Sequence, residues 1–324
     1  MSIYDDKINE NLEYSRKIIK QLNHVKGSDE LEDIQTLVFA GLLTYYGPEY
    51  LDDIYLAFLN CNFVAVDEPM DKFLRDKFKF NLPVSSRLQA QCPGTFYEVG
   101  AREYTSKKDK KIRYKFDRNI YVQNDGGVSI DELVQSVVHQ VNHVLTSIHN
   151  PVVYTWNDFA GVASRMGLSF ERMASRTLEG LALEDSINIL QVDEIMEEIL
   201  GFSFYNISDE KLSNMVNEIF RLRDEKGIVL DVAHDELTEM IRPLYEDKEF
   251  NEVLVNSRIS GRINDIKSFF DSRTSMGTYH EFRTECDRVN DPRISPLIAT
   301  DSRDKVKVYL KQYFDGNSST EENK

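Results

Sequence analysis

Two histidines, His139 and His143, stand four positions apart in the segment VVHQVNHVL. Residues at i and i+4 lie one turn apart on the same face of a helix, so both imidazole rings can reach one tetrahedral metal ion at about 2.0–2.1 Å. The spacing therefore indicates a divalent-metal site, with further ligands supplied from elsewhere in the chain. Because the sequence contains six histidines, a coincidental pair beside an apolar helix stripe is the alternative interpretation.

The segment VVHQVNHVL resembles the active-site helix of the zincin metallopeptidases, in which the pattern reads HExxH. The later segment LEDSINILQVDEI is similar to the helix with which gluzincin-like bacterial proteins supply an acidic third ligand, and GVASRMGL is similar to the strand-like segment between the two. The resemblance covers residues 119–201 and implies a zincin-like core, bound Zn²⁺ and a peptide or protein as substrate or partner.

Carried over to this chain, the resemblance makes His139 and His143 the two histidine ligands. Asp185 stands where the family has its ligand glutamate, and it is one methylene shorter. Glu184 beside it and Glu179 in TLEGLALED are competitors for the same role. In a chain this acidic, each of these three residues also fits a solvated helix face.

A rival ligand set uses His149. With His139 and His143 it has the spacing of the three histidines of the metzincins, HExxHxxGxxH, and Met166 then falls in a possible Met-turn. The glycine that turns the metzincin chain toward its third ligand is replaced here by Thr146. The acidic third ligand is therefore preferred.

Gln140 occupies the position of the zincin general base. In a zinc peptidase, the glutamate at this position accepts a proton from the metal-bound water and later delivers it to the leaving amine. A glutamine amide has nearly the same shape and can form hydrogen bonds, but it cannot act as a base near neutral pH. The sequence therefore predicts an impaired catalyst, either a natural pseudoenzyme or an inactivated variant.

The helix that carries these residues has a well-marked start. Ser129 is followed three residues later by Glu132, which is a capping box, and a valine-rich stripe then predicts a core-facing side. The helix is expected to stop near Asn150, because the residue before a proline is steered out of the helical region. The segment RNIYVQN just before it is expected to be the edge strand that pairs with an extended peptide.

The remaining pattern predicts a mostly helical α+β protein, with a small mixed or antiparallel sheet packed on the motif helix. Apolar residues at three- and four-residue spacing predict a helical region over 1–80. Residues 81–205 are expected to form the zincin-like core, with a second helix over about 170–200. Residues 206–314 are predicted to be helical, and residues 315–324 a disordered tail.

Composition limits the classes of function. The chain has 324 residues, of which 41% are hydrophobic, and 55 acidic against 39 basic side chains give a formal charge of -16. Nucleic acids and anionic membranes need a positive face, so neither is expected as a partner. No run approaches the roughly 18 apolar residues of a membrane span, and a cytoplasmic location is expected. The three cysteines, which form no CxxC pair, are expected to be small buried residues.

Two hypotheses of different classes follow. The first is a zinc metallopeptidase-like protein whose general base is missing. The second is a non-catalytic helical binding or scaffold protein without a metal site. They differ in whether a carboxylate of Asp185, Glu184 or Glu179 approaches both imidazoles.

Overall fold

Helices dominate the first half of the chain, which is described here from a computed structural model. The structure describes residues 3–26, 31–78, 92–105, 112–149, 152–156, 159–163, 165–166, 168–172, 177–226, 236–289, 291 and 293–321. The elements up to the motif helix are α1 (Ile3–Lys26), α2 (Glu32–Tyr46), a 3-10 turn (Pro48–Tyr50), α3 (Leu51–Asn60), β1 (Cys61–Val66), α4 (Met70–Phe78), β2 (Thr95–Thr105), β3 (Ile112–Gln123) and α5 (Ile130–Leu145).

The second half begins with short strands and continues with helices. The strands are β4 (Val152–Trp156), β5 (Phe159–Ala163), β6 (Arg165–Met166), β7 (Ser169–Arg172) and β8 (Thr177–Glu179). They are followed by α6 (Leu181–Gly201), a 3-10 turn (Phe202–Phe204), α7 (Glu210–Lys226), α8 (Glu236–Tyr245), α9 (Lys248–Ser260), α10 (Ile263–Arg273), α11 (Thr278–Val289) and α12 (Pro296–Glu321).

The chain divides into two compact units. The first comprises Met1–Leu145 and Gln191–Ala233, and the second comprises Thr146–Leu190 and His234–Lys324. The continuous helix α6 contributes residues to both. The division into consecutive regions 1–80, 81–205 and 206–314 stays a prediction.

The first unit contains a three-stranded mixed sheet in the order β1-β3-β2. β3 pairs in parallel with β1, with Phe63 opposite Ile120, and antiparallel with β2, with Phe96 opposite Tyr121. The expectation that RNIYVQN forms an edge strand is therefore wrong, because β3 has a partner on each side and its backbone groups are already paired.

The motif helix α5 begins where its sequence pattern predicts, but it ends at Leu145 and a turn follows, so the expected end near Asn150 is wrong by five residues. It begins at Ile130, directly after Ser129, and its valine stripe is buried: Val134, Val137, Val138, Val141 and Val144. β2 and β3 pack against this helix. On another side, Arg223 of α7 donates to Gln135 at 2.6 Å, and the Lys226 ammonium lies 3.2 Å from the Asp131 carboxylate. The helix is therefore held from two directions within the first unit.

The second unit contains a helical core and two small antiparallel sheets. The sheets are β4-β5 and β6-β7-β8. In the core, the ring of Phe270 stacks on those of Phe282 and Tyr313, with centroids 5.0 and 5.2 Å apart. The sequence predicted one small sheet, and the structure has these two in addition.

Three element predictions are corrected. β1 interrupts the predicted helical region 1–80, because the short apolar run CNFVAV finds a parallel partner in β3. The helix predicted from about residue 170 begins at Leu181, after β7 and β8. The predicted tail 315–324 is helical as far as Glu321, because extending a formed helix costs little per residue compared with starting one.

The coarse fold prediction is confirmed. The described chain is α+β and mostly helical, with a small mixed sheet against the motif helix. Cys61, Cys92 and Cys286 are buried free thiols, as expected. Within the described residues, none of the helices combines the length and the apolar character that crossing a membrane requires.

Candidate metal centre

α5 places His139 and His143 one turn apart, with both side chains fully buried. Their Nε2 atoms are 3.0 Å apart, and the rings meet edge to face with centroids 4.7 Å apart. The tautomers decide which nitrogen donates in this contact. Two Nε2 atoms bound to one tetrahedral ion at about 2.05 Å would be about 3.3 Å apart. The observed separation is close to that value, so both nitrogens could bind one ion in place of their mutual contact.

Asp185, on the first turns of α6, completes the group. One ligand atom from each of His139, His143 and Asp185 lies within 4.8 Å of the other two. The two imidazoles are buried and the aspartate is half-buried. Two nitrogen donors and one carboxylate oxygen, with a position left for water or substrate, match the donor set of catalytic zinc sites. The cluster could therefore hold a metal ion.

Glu184, the neighbouring competitor, has a different environment. Its fully buried carboxylate accepts two hydrogen bonds from the Arg258 guanidinium, one of them from Nε at 3.0 Å. It also accepts the backbone N–H of Leu168 at 2.7 Å. A carboxylate occupied by a bidentate arginine and a backbone N–H is neutralised within its own unit. Glu184 therefore serves an internal ion pair, and Asp185 remains the acid beside the histidines.

Of the other two predicted competitors, only His149 has a described side chain, and it does not join the group. His149 lies in the turn after α5 with an exposed side chain, and the cluster found among the described residues does not include it. Glu179 ends β8, and its side chain lies outside the described part of the chain. The three-histidine arrangement is therefore not the one that this structure presents.

Gln140, at the position of the general base, is completely buried. Its Nε2 lies 3.5 Å from the hydroxyl oxygen of Thr95, which is also buried at the start of β2. Its Oε1 has no hydrogen-bond partner within the part of the chain that the structure describes. A buried acceptor without a donor costs free energy, so this oxygen is a place where a water or ligand N–H would be stabilising.

A buried hydrogen-bond network stands beside the histidines. The Tyr46 hydroxyl oxygen is 2.6 Å from Asn142 Oδ1 and 3.1 Å from Gln191 Oε1, and Asn142 Nδ2 donates to Gln191 Oε1 at 3.1 Å. These residues come from α2, α5 and α6, and all three are buried. The network therefore ties α5 to α2 and α6 at Asn142, the residue before His143.

Sequence reasoning missed Tyr46, Gln191, Thr95 and Arg258. Their partners are 45 to 145 positions away in the chain, so no local spacing marks them. An isolated tyrosine, glutamine or arginine has many structural uses. Only the tertiary fold assigns these four to the surroundings of the candidate site.

No protein-family model, curated protein or solved structure matches this chain. The geometry of the described residues is therefore the basis on which function is inferred.

Proposed function

We propose that this chain is a zinc-binding, metallopeptidase-like protein that lacks its general base. The observation that carries the proposal is the convergence of His139, His143 and Asp185 within 4.8 Å. Three protein ligands leave a coordination position for water or substrate, which is the arrangement of catalytic rather than structural zinc sites.

The donor set favours zinc over other common divalent ions. Magnesium and calcium prefer sites built entirely from oxygen atoms, whereas two of the three donors here are imidazole nitrogens. The cysteines of the chain are not among them. We therefore name Zn²⁺ as the cofactor, held by His139, His143 and Asp185.

Zinc, when bound in such a site, lowers the pKa of its water and polarises a carbonyl. The protein must then supply a group that accepts the proton of that water. Gln140 Oε1, which has no hydrogen-bond partner among the described residues, can accept a hydrogen bond and orient a water, but the amide cannot take a proton near neutral pH. Positioned acid–base catalysis is worth about 10²–10⁴-fold, so peptide hydrolysis is expected to be slow by that factor.

The first experiment measures zinc. Protein purified without a histidine tag is dialysed against zinc and analysed for bound metal. We expect about one zinc per chain in the wild type, and loss of it in His143→Ala and Asp185→Asn. His280→Ala and Asp52→Asn change exposed residues and serve as matched controls. A folded wild-type protein that retains no zinc would overturn the proposal and favour a metal-free binding or scaffold protein.

The second experiment restores the missing base. Gln140→Glu, loaded with zinc, is incubated with an unstructured protein substrate, and cleavage is followed by mass spectrometry. We expect activity to rise by about 10²–10⁴-fold over the wild type. The double variant Gln140→Glu with His143→Ala should be inactive. If a folded, zinc-loaded Gln140→Glu protein cleaves no faster than the wild type, the peptidase-like assignment fails and the metal site has another use.

A further inference from the structure

A cavity of about 680 Å³ opens in the first unit, away from the residues of the candidate metal centre. It is lined by one face of α1, by the ends of α2 and α6, and by the 3-10 turn after α6. Ligand sites for small molecules typically have volumes of about 300–1,000 Å³. The cavity therefore has the size of a small-molecule site.

Aromatic side chains dominate its wall. Tyr4, Tyr14, Phe204 and Tyr205 all line the cavity. Tyr4, Tyr14 and Phe204 are 70%, 43% and 76% exposed, although aromatic side chains usually contribute to cores. Exposed aromatic rings gathered at one concave surface are typical of a binding site. Their faces carry the negative part of the ring quadrupole, which attracts cations.

The charged groups around the cavity also favour a cation. Glu10 and Glu198 line it, and within the described residues neither carboxylate has an ion-pair or hydrogen-bond partner. Lys7 is the one cationic side chain among the described lining residues. α2 and α6 both end here, and the carbonyl end of a helix carries a partial negative charge. The start of α1, whose residues Tyr4 and Lys7 also line the cavity, carries a partial positive charge that partly offsets these two helix ends. The two carboxylates still outweigh the one ammonium group.

We propose that this cavity binds a small organic cation with apolar substituents, of the quaternary ammonium class. The aromatic rings contact the apolar groups and attract the charge that these groups spread, while Glu10 and Glu198 supply the counter-charge. A neutral apolar ligand would fill the same volume but gain nothing from the carboxylates. The cavity is independent of the metal centre, so this binding does not depend on zinc.

The test uses an isosteric pair of probes. 3-Hydroxyphenyltrimethylammonium and 3-tert-butylphenol differ in one atom, because a charged nitrogen in the first replaces a carbon in the second. Binding of each to the full chain is measured by isothermal titration calorimetry, with and without a zinc chelator. We expect the cation to bind at least about fivefold more tightly than the neutral phenol. We also expect the difference to shrink at high salt.

Matched variants locate the binding. Phe204→Ala and Glu198→Gln remove a ring and a charge from the wall, and each should weaken cation binding by about three- to tenfold. Tyr55→Ala and Glu197→Gln change an exposed ring and an exposed carboxylate that do not line the cavity, and both should bind like the wild type. Glu198→Gln should leave the affinity for 3-tert-butylphenol unchanged.

Three outcomes would overturn the proposal. They are equal affinity for the two probes, no binding of either, and cation binding that survives both Phe204→Ala and Glu198→Gln. Because each variant lies on the surface, circular dichroism of the folded proteins separates a lost site from a lost fold.

Discussion

Two groups of buried polar side chains lie next to each other on α5, and they differ in how their hydrogen-bonding atoms are satisfied. Asn142 is satisfied within the protein, by Tyr46 at 2.6 Å and Gln191 at 3.1 Å. One turn of the same helix carries His139 and His143, whose Nε2 atoms lie 3.0 Å apart, and Gln140, whose Oε1 has no hydrogen-bond partner among the described residues. The first group is completed by hydrogen bonds within the chain, whereas the second contains a buried acceptor without a described donor and could hold a metal ion.

The same contrast separates two adjacent acids on α6. Glu184 is neutralised by Arg258 and by the Leu168 backbone, while Asp185 stands beside two imidazoles. Successive residues of a helix point about 100° apart, so neighbours in sequence enter different environments. An internal cation neutralises the first acid, and the second belongs to the group that could hold a metal ion.

The largest expected effect comes from removing Arg258, the cation that neutralises Glu184. Arg258→Met leaves the Glu184 carboxylate buried without its partner, which should lower the free energy of unfolding by about 3–5 kcal/mol. Urea unfolding at pH 7 measures this. Arg262→Met, at a largely exposed arginine, should change stability by less than about 0.5 kcal/mol. If Arg258→Met lowers the free energy of unfolding by less than about 1 kcal/mol, Glu184 does not depend on Arg258 for its neutralisation.

The next largest effect is the stabilisation that zinc should give through His139, His143 and Asp185. A ligand at 100 times its dissociation constant raises the free energy of unfolding by about 2.7 kcal/mol. Thermal unfolding should show this gain for the wild type and for His280→Ala, and none for His143→Ala. A chelator should reverse it. Equal stabilisation of His143→Ala by zinc would mean that the metal binds elsewhere.

A smaller loss of unfolding free energy is expected when the hydrogen-bond network of Tyr46, Asn142 and Gln191 is broken. Tyr46→Phe removes the hydroxyl that donates to Asn142 and leaves a buried acceptor without a donor, at a cost of about 1–3 kcal/mol. Tyr55→Phe is the matched control, since that side chain is 37% exposed. Zinc should stabilise Tyr46→Phe as it does the wild type if α5 keeps its rotation. Zinc affinity that falls together with stability would show that the network positions His143.

The smallest effect concerns the start of α5. Burial raises the pKa of the Asp131 carboxyl, but the Ser129 hydroxyl and the Lys226 ammonium outweigh it, so that the pKa is lowered from 3.8. A carboxyl with a depressed folded-state pKa stabilises the protein above its unfolded pKa and loses this contribution as the pH falls through the folded value. Lys226→Met should therefore cost about 0.5–1 kcal/mol at pH 7.

That cost should persist down to about pH 4 and diminish below it, as Asp131 becomes protonated. Urea unfolding across this range checks the prediction, with Lys211→Met, at an exposed lysine of the same helix α7, as the control. A cost that is constant below pH 4 would mean that Lys226 stabilises the helix by packing rather than by charge.

Local signals were sufficient for α5. Ser129 and Glu132 mark its start and the valine spacing gives its buried face, because both depend on residues within a few turns. The start of α6 was not predictable. There, Asp287, 107 positions beyond Gly180, accepts the Gly180 and Ala182 backbone N–H groups at 2.6 and 3.1 Å. Gly180 itself has a positive φ of 75°.

The candidate site likewise could be predicted only as far as local sequence signals reach. The spacing of His139 and His143 is visible in sequence because the two lie on one helix. Resemblance to the gluzincin pattern favoured Asp185 as the third ligand. The structural reason why Glu184 does not take that place is its pairing with Arg258, which lies 74 positions away in the chain. β1 was likewise missed because its partner β3 is distant in the chain. Contacts formed by folding, rather than local propensity, decide these features.

The most direct test of the metal centre is cobalt substitution. Co²⁺ is added to metal-free wild-type protein and its visible d–d absorption is recorded, because four- and five-coordinate cobalt absorbs far more strongly than hydrated six-coordinate cobalt. We predict an intense band that saturates at one cobalt per chain, is displaced by zinc and is absent from His143→Ala. A wild-type spectrum that stays that of hydrated cobalt would contradict a metal site at His139, His143 and Asp185.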